Sequence, residues 1–359
     1  PFCVFLEAAL QPCGWLASFV GSATTTEKDL SFRNLDGTGE MTAEVLPESG
    51  VLTTRVTITA ISKTAGMIIQ NFDVACFLAE QQIYSLKTVF GFFPAAALAN
   101  QVGLPTTDEQ RSWLTAASDF SVDLRSAPAR YCEAQPRLGG SMLRMLDRVS
   151  GYWPTAGEAG LGILRGEKDV DPSEWFFKAH FFQDPVQPGS LGIEAMLQLL
   201  QFAMLERGLA EGIHCPRFEP LQLNAPMTWK YRGQVVPKNH LITTTLEILE
   251  ESRDADGGTT CSGRASLWVD GRRIYEAEPI GMRIVSGEVE LERLVEPPRE
   301  PVPVSALEAP PEADLEPADE GSGEQESRSD DPVEESRPSG LELTPHPDGG
   351  WILDPAVHG

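Results

Sequence analysis

The sequence predicts an α+β protein made of two copies of one unit, each a long central helix wrapped by an antiparallel sheet, followed by an acidic tail. Three observations carry that prediction. A helix-like apolar stretch followed by a run of strand-like segments occurs twice along the 359 residues. The two cycles also repeat in sequence. PFCVFLEAALQ from Pro1 lies over PGSLGIEAMLQ from Pro188, an offset of 187 that sets Glu7 on Glu194 and Gln11 on Gln198. VLPESGVLTTRVTI from Val45 lies over VVPKNHLITTTLEI from Val235 at an offset of 190, and Ile83-Tyr84 over Ile274-Tyr275 at 191. Ordered matches with a slowly drifting offset are the mark of an internal duplication. Finally, composition breaks at Ser286: residues 286–359 hold 20 Asp and Glu against 4 Arg, a net of −16 that leaves −9 of the total −25 for everything before.

The elements follow in order. Residues 1–20 are apolar enough for a buried helix, with Pro12 expected to kink it. Segments 40–46, 51–62, 66–79 and 82–93 are rich in Val, Ile, Thr and Phe and read as strands, the first two joined by the turn residues Pro47 to Gly50. Residues 94–140 are mixed, a connector with at least one short helix. In the second cycle 142–152 and 161–170 read as strands and 190–207 as a long buried helix. Segments 228–236, 241–251, 259–269 and 272–284 then read as strands. The expected division is a first repeat over 1–93, incomplete at its N-terminal side, a connector over 94–140 and a second repeat over 141–285. Residues 286–359 are expected to form an acidic, Pro-rich linker too poor in apolar residues to offset its ordering entropy. The closing GGWILDPAVHG regains apolar character, as though another domain were beginning.

Composition excludes several classes of function. The moderately acidic body holds no basic cluster, which argues against nucleic-acid binding. The six cysteines, at 3, 13, 76, 132, 215 and 261, form no CxxC pair. They are expected to be buried or half-buried free thiols, and the neighbours His214 and Cys215 lack the second pair a metal site needs. No signal peptide is visible, and no uninterrupted apolar run is expected to span a bilayer; the stretch 191–205 is broken by Glu194, Gln198 and Gln201. The expectation is a soluble, cytoplasmic protein, without a membrane or metal partner, that fits a piece of something longer.

The chemistry concentrates in WFFKAHFFQDPVQPGSLGIEAMLQLLQ, residues 175–201. His180 closes an aromatic run whose members, Trp175, Phe176, Phe177, Phe181 and Phe182, are expected to be mostly core. Asp184-Pro185 and Pro188-Gly189 then force a turn into the helix, with Asp184 serving the turn. Gly189 and its neighbours leave backbone N–H groups free at a helix N-terminus, where they can hold a carbonyl or an oxyanion. A histidine, free amides and a carboxylate on a buried helix suffice for elimination next to a thioester. The base takes the Cα proton, the amides hold the enolate-like oxygen, and the acid protonates the departing hydroxyl. Gln11, Gln198 and Gln201 share helix faces with the glutamates and either line an acyl tunnel or satisfy buried polar groups.

HFFQDPVQPGSLGIEAM resembles the signature of the β-hydroxydecanoyl-carrier-protein dehydratases. In particular it resembles the dehydratase region of polyunsaturated fatty-acid synthases and polyketide-type megasynthases, where two hot-dog folds are fused. The resemblance covers roughly residues 1–285 and implies a double hot-dog fold and dehydration of 3-hydroxyacyl thioesters to 2-enoyl thioesters, with 2-enoyl to 3-enoyl isomerisation compatible. It implies that His180 is the base, that the Gly189 amide binds the thioester carbonyl and that the Val186 carbonyl orients the imidazole. The acid stands fourteen residues after the histidine and is contributed by the partner hot dog. Glu194 has that spacing and Glu7 is its counterpart in the first repeat, so Glu7 is expected to face His180. Glu194 is the alternative acid, used within its own half or across an intermolecular homodimer. Glu stands where the single-repeat bacterial enzymes have Asp, which extends the acid by one methylene. No soluble cofactor is implied; substrate arrives on the phosphopantetheine of an acyl carrier protein, and neighbouring synthase domains are the expected partners. A hot-dog thioesterase and a non-catalytic scaffold for carrier docking remain the rival readings.

Overall fold

The computed structural model describes residues 1–287, apart from positions 28, 47 and 65, and two short strands at 343–345 and 351–353. The chain divides into a unit over Pro1–Glu288 and a second over Val289–Gly359. In the second unit Leu343–Pro345 pairs antiparallel with Trp351–Leu353, within the stretch where apolar character returns. Residues 288–342, the bulk of the expected acidic linker, lie outside the described residues.

The first unit begins with α1 (Phe2–Phe19), in which Pro12 sits inside the helix. Phe2, Leu6, Ala9, Leu10, Cys13 and Ala17 are buried, the three-and-four spacing of one helical stripe, while Val4, Trp15, Phe19 and Val20 are exposed. Strands β1 (Leu30–Met41), β2 (Leu52–Thr64), β3 (Met67–Leu78) and β4 (Gln81–Pro94) follow, and α1 packs on β2 and β3. By length and composition residues 2–24 are apolar enough to cross a membrane, although the run is not an uninterrupted one. Small and polar residues such as Gly14 and Ser18 interrupt the run and mask its mean apolarity.

The connector is more than a tether. It contains α2 (Ala95–Ala99), α3 (Asp108–Ser112), the short strand β5 (Val122–Asp123) and α4 (Ala129–Cys132). The second repeat then supplies β6 (Arg148–Trp153), β7 (Ile163–Asp169), α5 (Trp175–Ala179) and α6 (Gly189–Glu206). It closes with β8 (Pro216–Phe218), β9 (Pro226–Tyr231), β10 (Leu241–Arg253), β11 (Thr259–Val269) and β12 (Arg272–Ser286). β5 pairs with β6, and Tyr131 stacks on Phe202 of α6 with ring centroids 4.6 Å apart, so the connector helps to enclose that helix. Leu191, Ile193, Met196, Leu197, Leu199, Leu200 and Phe202 are all buried, each contributing roughly 1.5–3 kcal/mol of transfer free energy before entropy is counted.

One sheet runs in the order β2-β3-β4-β1-β9-β12-β11-β10-β7-β6-β5, with β8 paired to β12. From the centre outward, β1-β4-β3-β2 on one side mirrors β9-β12-β11-β10 on the other. The antiparallel seam between β1 and β9 sets Thr38 opposite Thr228, residues separated by 190. That is the repeat offset read from the sequence, so these threonines sit on the pseudo-twofold axis, where their hydroxyls meet at 3.0 Å. Two helix-and-sheet units joined edge to edge in this way are a double hot-dog fold.

Three strands differ from expectation, and the one expected over 228–236 instead spans Pro226–Tyr231. The first strand spans 30–41 rather than 40–46. Asn34, Asp36, Gly37 and Gly39 give that segment the look of a turn, but the seam requires the glycines: a Cβ on Gly37 would lie 2.1 Å from the Trp229 ring. The strand expected over 142–152 begins only at Arg148, because 141–143 form a 3-10 turn and the following backbone bonds to α6.

Candidate active site

His180 caps the C-terminal end of α5, its N–H bonded to the Phe176 carbonyl at 3.1 Å. The chain then turns through Gln183, whose φ of 55° lies in the left-handed region, and the prolines of DPVQPG carry it into α6. This turn folds the Val186 carbonyl back to 2.9 Å from His180 Nδ1. A carbonyl only accepts, so Nδ1 carries the proton and Nε2 keeps its lone pair, the tautomer a base needs. Burial lowers the imidazole pKa; the Val186 bond, the charge of Asp184 and that of Glu7 when ionised oppose the shift, and Arg33 adds to it. His180 is therefore neutral near pH 7.

Gly189 is the first residue of α6, behind Pro188, which offers no capping side chain. The Gly189 and Ser190 amides have no carbonyl one turn back within the helix, whereas the Leu191 N–H donates to the Pro188 carbonyl at 3.1 Å. Glycine is required here because a Cβ would lie 2.5 Å from the Tyr231 ring. Tyr231 is buried, and its hydroxyl has no hydrogen-bond partner.

His180, Gly189 and Tyr231 line a cavity of about 770 Å³ that runs along the seam between the repeats. The first repeat contributes Glu7 and Gln11 from α1 and Arg33 from β1 to its walls. Ser190, one residue into α6, donates a hydrogen bond to Glu7 Oε1 at 2.5 Å. The structure thus brings the second repeat's histidine and helix terminus together with the first repeat's glutamate. Among the expected site residues, His180, Val186, Gly189, Glu7 and Gln11 share this cavity.

Glu194 and Gln198 do not line it. Glu194 is 2% exposed and accepts hydrogen bonds from Gln198 Nε2 at 2.9 Å and from the Cys3 N–H at 3.3 Å. Gln198 is fully buried; its oxygen accepts from the Met145 N–H at 2.8 Å and its nitrogen donates to the Leu143 carbonyl at 2.7 Å. The expectation of Gln198 as a substrate-binding residue is corrected accordingly: it ties the 143–145 segment to α6. The aromatic run divides as well. Phe176 and Phe177 are core, Phe181 lines the cavity, and Phe182 stands 90% exposed at its wall, contrary to the expectation of a mostly buried run.

Arg33 carries no signal in the sequence. Its guanidinium grips Asp184 with two bonds of 2.7 and 2.8 Å, and Nε donates to Gln234 Oε1 at 2.9 Å. Arg33 and Asp184 lie 151 residues apart, and no local pattern announces the contact. All six cysteines are free, four of them buried and Cys132 and Cys215 half-buried. Among the described residues no group of His, Cys, Asp and Glu is arranged to hold a metal ion.

Comparison with known proteins places these features among relatives. Residues 138–278, which include His180 and Gly189 but not Glu7, match the FabA-like domain family. Over 311 residues, 80% of the chain, the sequence is 32% identical to a polyunsaturated fatty acid synthase polypeptide of Thraustochytrium sp.; the chain spans 20% of that protein's length. Among solved structures, an inactive mutant of the CurJ dehydratase is 13% identical with a TM-score of 0.41, covering 78% of this chain and 82% of that one. A Lactobacillus plantarum protein described as an oleoyl thioesterase is 12% identical with a TM-score of 0.41, covering 80% and 87%. The structural likenesses include dehydratases and thioesterases alike and do not choose between the two reactions.

Proposed function

Because residues 138–278 match the FabA-like domain family, we propose that the chain removes water from 3-hydroxyacyl thioesters to give 2-enoyl thioesters. The substrate class we infer is an acyl group on the phosphopantetheine arm of an acyl carrier protein, handled within a larger fatty-acid or polyketide-type synthase. The observation that carries this reading is the convergence, in one cavity, of a proton-accepting His180 Nε2 with Glu7 from the opposite repeat.

In the proposed reaction the thioester carbonyl rests at the N-terminus of α6, where the Gly189 N–H donates to its oxygen. His180 Nε2 removes the Cα proton, and the electron pair moves onto that oxygen as an enolate. As the enolate collapses, the Cα–Cβ double bond forms and the C3–O bond breaks. The departing hydroxyl takes a proton from the Glu7 carboxylic acid and leaves as water. His180 ends protonated and Glu7 ionised, and proton exchange with solvent resets both. Ser190, bonded to Glu7, fixes the direction in which the acid points.

The test compares two thioesters on wild-type protein and on His180→Ala. Wild type should dehydrate a 3-hydroxyacyl thioester and leave the saturated analogue intact, and the substitution should lower the dehydration rate by about 10²–10⁴-fold. Hydrolysis of the saturated thioester, or full dehydration by His180→Ala, would overturn the reading.

A further inference from the structure

Arg33 belongs to the first repeat, Asp184 to the turn that carries His180, and the two meet across the seam. The side chains are 11% and 31% exposed, and the contact is bidentate, a geometry in which guanidinium and carboxylate lock each other's orientation. Arg33 is itself held. Its Nε donates to Gln234 and its Nη1 also donates to the Phe32 carbonyl at 2.8 Å, so it cannot follow the turn if the turn moves. The guanidinium carbon also stands 5.8 Å from the ring centre of Phe181, the residue next to His180. The Arg33 contacts thus fasten the turn to the opposite repeat, where Ser31 of β1 also hydrogen-bonds Asp184, and they add to the His180–Val186 and Gln187–Val235 bonds that shape it from its own repeat.

Resting on the dehydratase reading, we propose that Arg33 is a positioning residue for His180: it pins the 180–189 turn to the opposite repeat through Asp184 and neutralises that carboxylate beside the imidazole. The base of the site would then depend on the first repeat as much as the acid does.

The groups facing His180 are Glu7 from α1, Arg33 from β1 and Asp184 from its own turn, with Asp29 at the cavity wall. Arg33 holds the Asp184 carboxyl below the usual carboxylate range, so that carboxylate is ionised near neutrality. The signs follow. Arg33 lowers the imidazole pKa and Asp184 raises it. Removing the cation alone should raise the His180 pKa and move the acid limb of kcat/KM to higher pH. Removing the anion alone should move the limb the other way.

The experiment measures kcat, KM and their pH profiles, with thermal unfolding as a control for folding, on wild type, Arg33→Lys, Arg33→Gln, Asp184→Asn and the Arg33→Gln/Asp184→Asn pair. Arg33→Gln should lose about 10²-fold in kcat, the scale of a misplaced catalytic group, with its acid limb shifted up. Arg33→Lys keeps the charge but not the fork; its limb should stay in place while kcat falls. Asp184→Asn should shift the limb down, and the double substitution should bring it back towards wild type. Wild-type kcat and an unmoved limb in both Arg33→Gln and Asp184→Asn would overturn the proposal, as would a limb shifted in the same direction by both. Direct titration of the His180 imidazole by NMR in these proteins reads the same opposed shifts without catalysis. A wild type that fails to dehydrate while those shifts appear would therefore sink the reaction and leave the positioning intact.

Discussion

Ser190 Oγ meets Glu7 at 2.5 Å, whereas at the equivalent place beside Glu194 stands Cys3, whose backbone N–H reaches that carboxylate at 3.3 Å. Two copies of one glutamate thus have unlike surroundings. Glu7 is half-buried at the wall of a cavity; Glu194 is enclosed and held by Gln198. Glu7→Gln is expected to lower the dehydration rate by about 10²–10⁴-fold with the fold intact. Glu194→Gln should leave the rate near wild type and cost on the order of 1 kcal/mol of stability through its altered hydrogen bonds. Initial rates and urea midpoints on both proteins decide this, and a rate loss in Glu194→Gln equal to that in Glu7→Gln would contradict the assignment. That His180, Val186 and Gly189 meet at one turn was legible because the prolines and glycine among residues 184–189 force the chain to turn there. Arg33 and Tyr231 were not, because what matters in each is a contact with a distant part of the chain. Tyr231 in particular reads as an ordinary strand aromatic until Gly189 is seen lying against its ring.

Among the elements, the two central helices were legible almost to the residue, since long apolar stretches bounded by proline and glycine leave few alternatives. β10, β11 and β12 were found for the same kind of reason, through dense β-branched and aromatic composition. β1 was misplaced because its glycines serve the bulk of Trp229 and Tyr84 from neighbouring strands, a demand invisible within the segment itself. The start of β6 was misplaced because Gln198 holds the preceding backbone in a non-strand path. That tie gives a prediction at this scale. Gln198→Ala should leave the Met145 N–H and Leu143 carbonyl without partners and destabilise the protein by on the order of 3 kcal/mol. Urea unfolding measures the loss, while KM for the acyl thioester should hold. A raised KM without destabilisation would return Gln198 to the tunnel.

For the molecule as a whole, the repeat was the strongest signal in the sequence, and the offset of 190 reappears as the pairing of Thr38 with Thr228. What the repeat could not reveal is how unequal the copies are. α6 is enclosed by strands and connector, while α1 leaves Trp15 and Phe19 stacked at 5.0 Å on its outer face. The cavity on the seam is lined by His180 from one copy and Glu7 from the other, the proposed base and acid, both within a single chain. Joining them covalently has a genetic consequence. A chain carrying His180→Ala and a chain carrying Glu7→Gln each spoil their own seam, and neither can lend its sound residue to the other. Mixed or co-expressed, the two lesions should fail to complement, with activity no higher than the sum of the separate proteins. Recovered activity would mean that repeats exchange between chains, so that this test in trans reads out whether the fusion has closed the site to outside help.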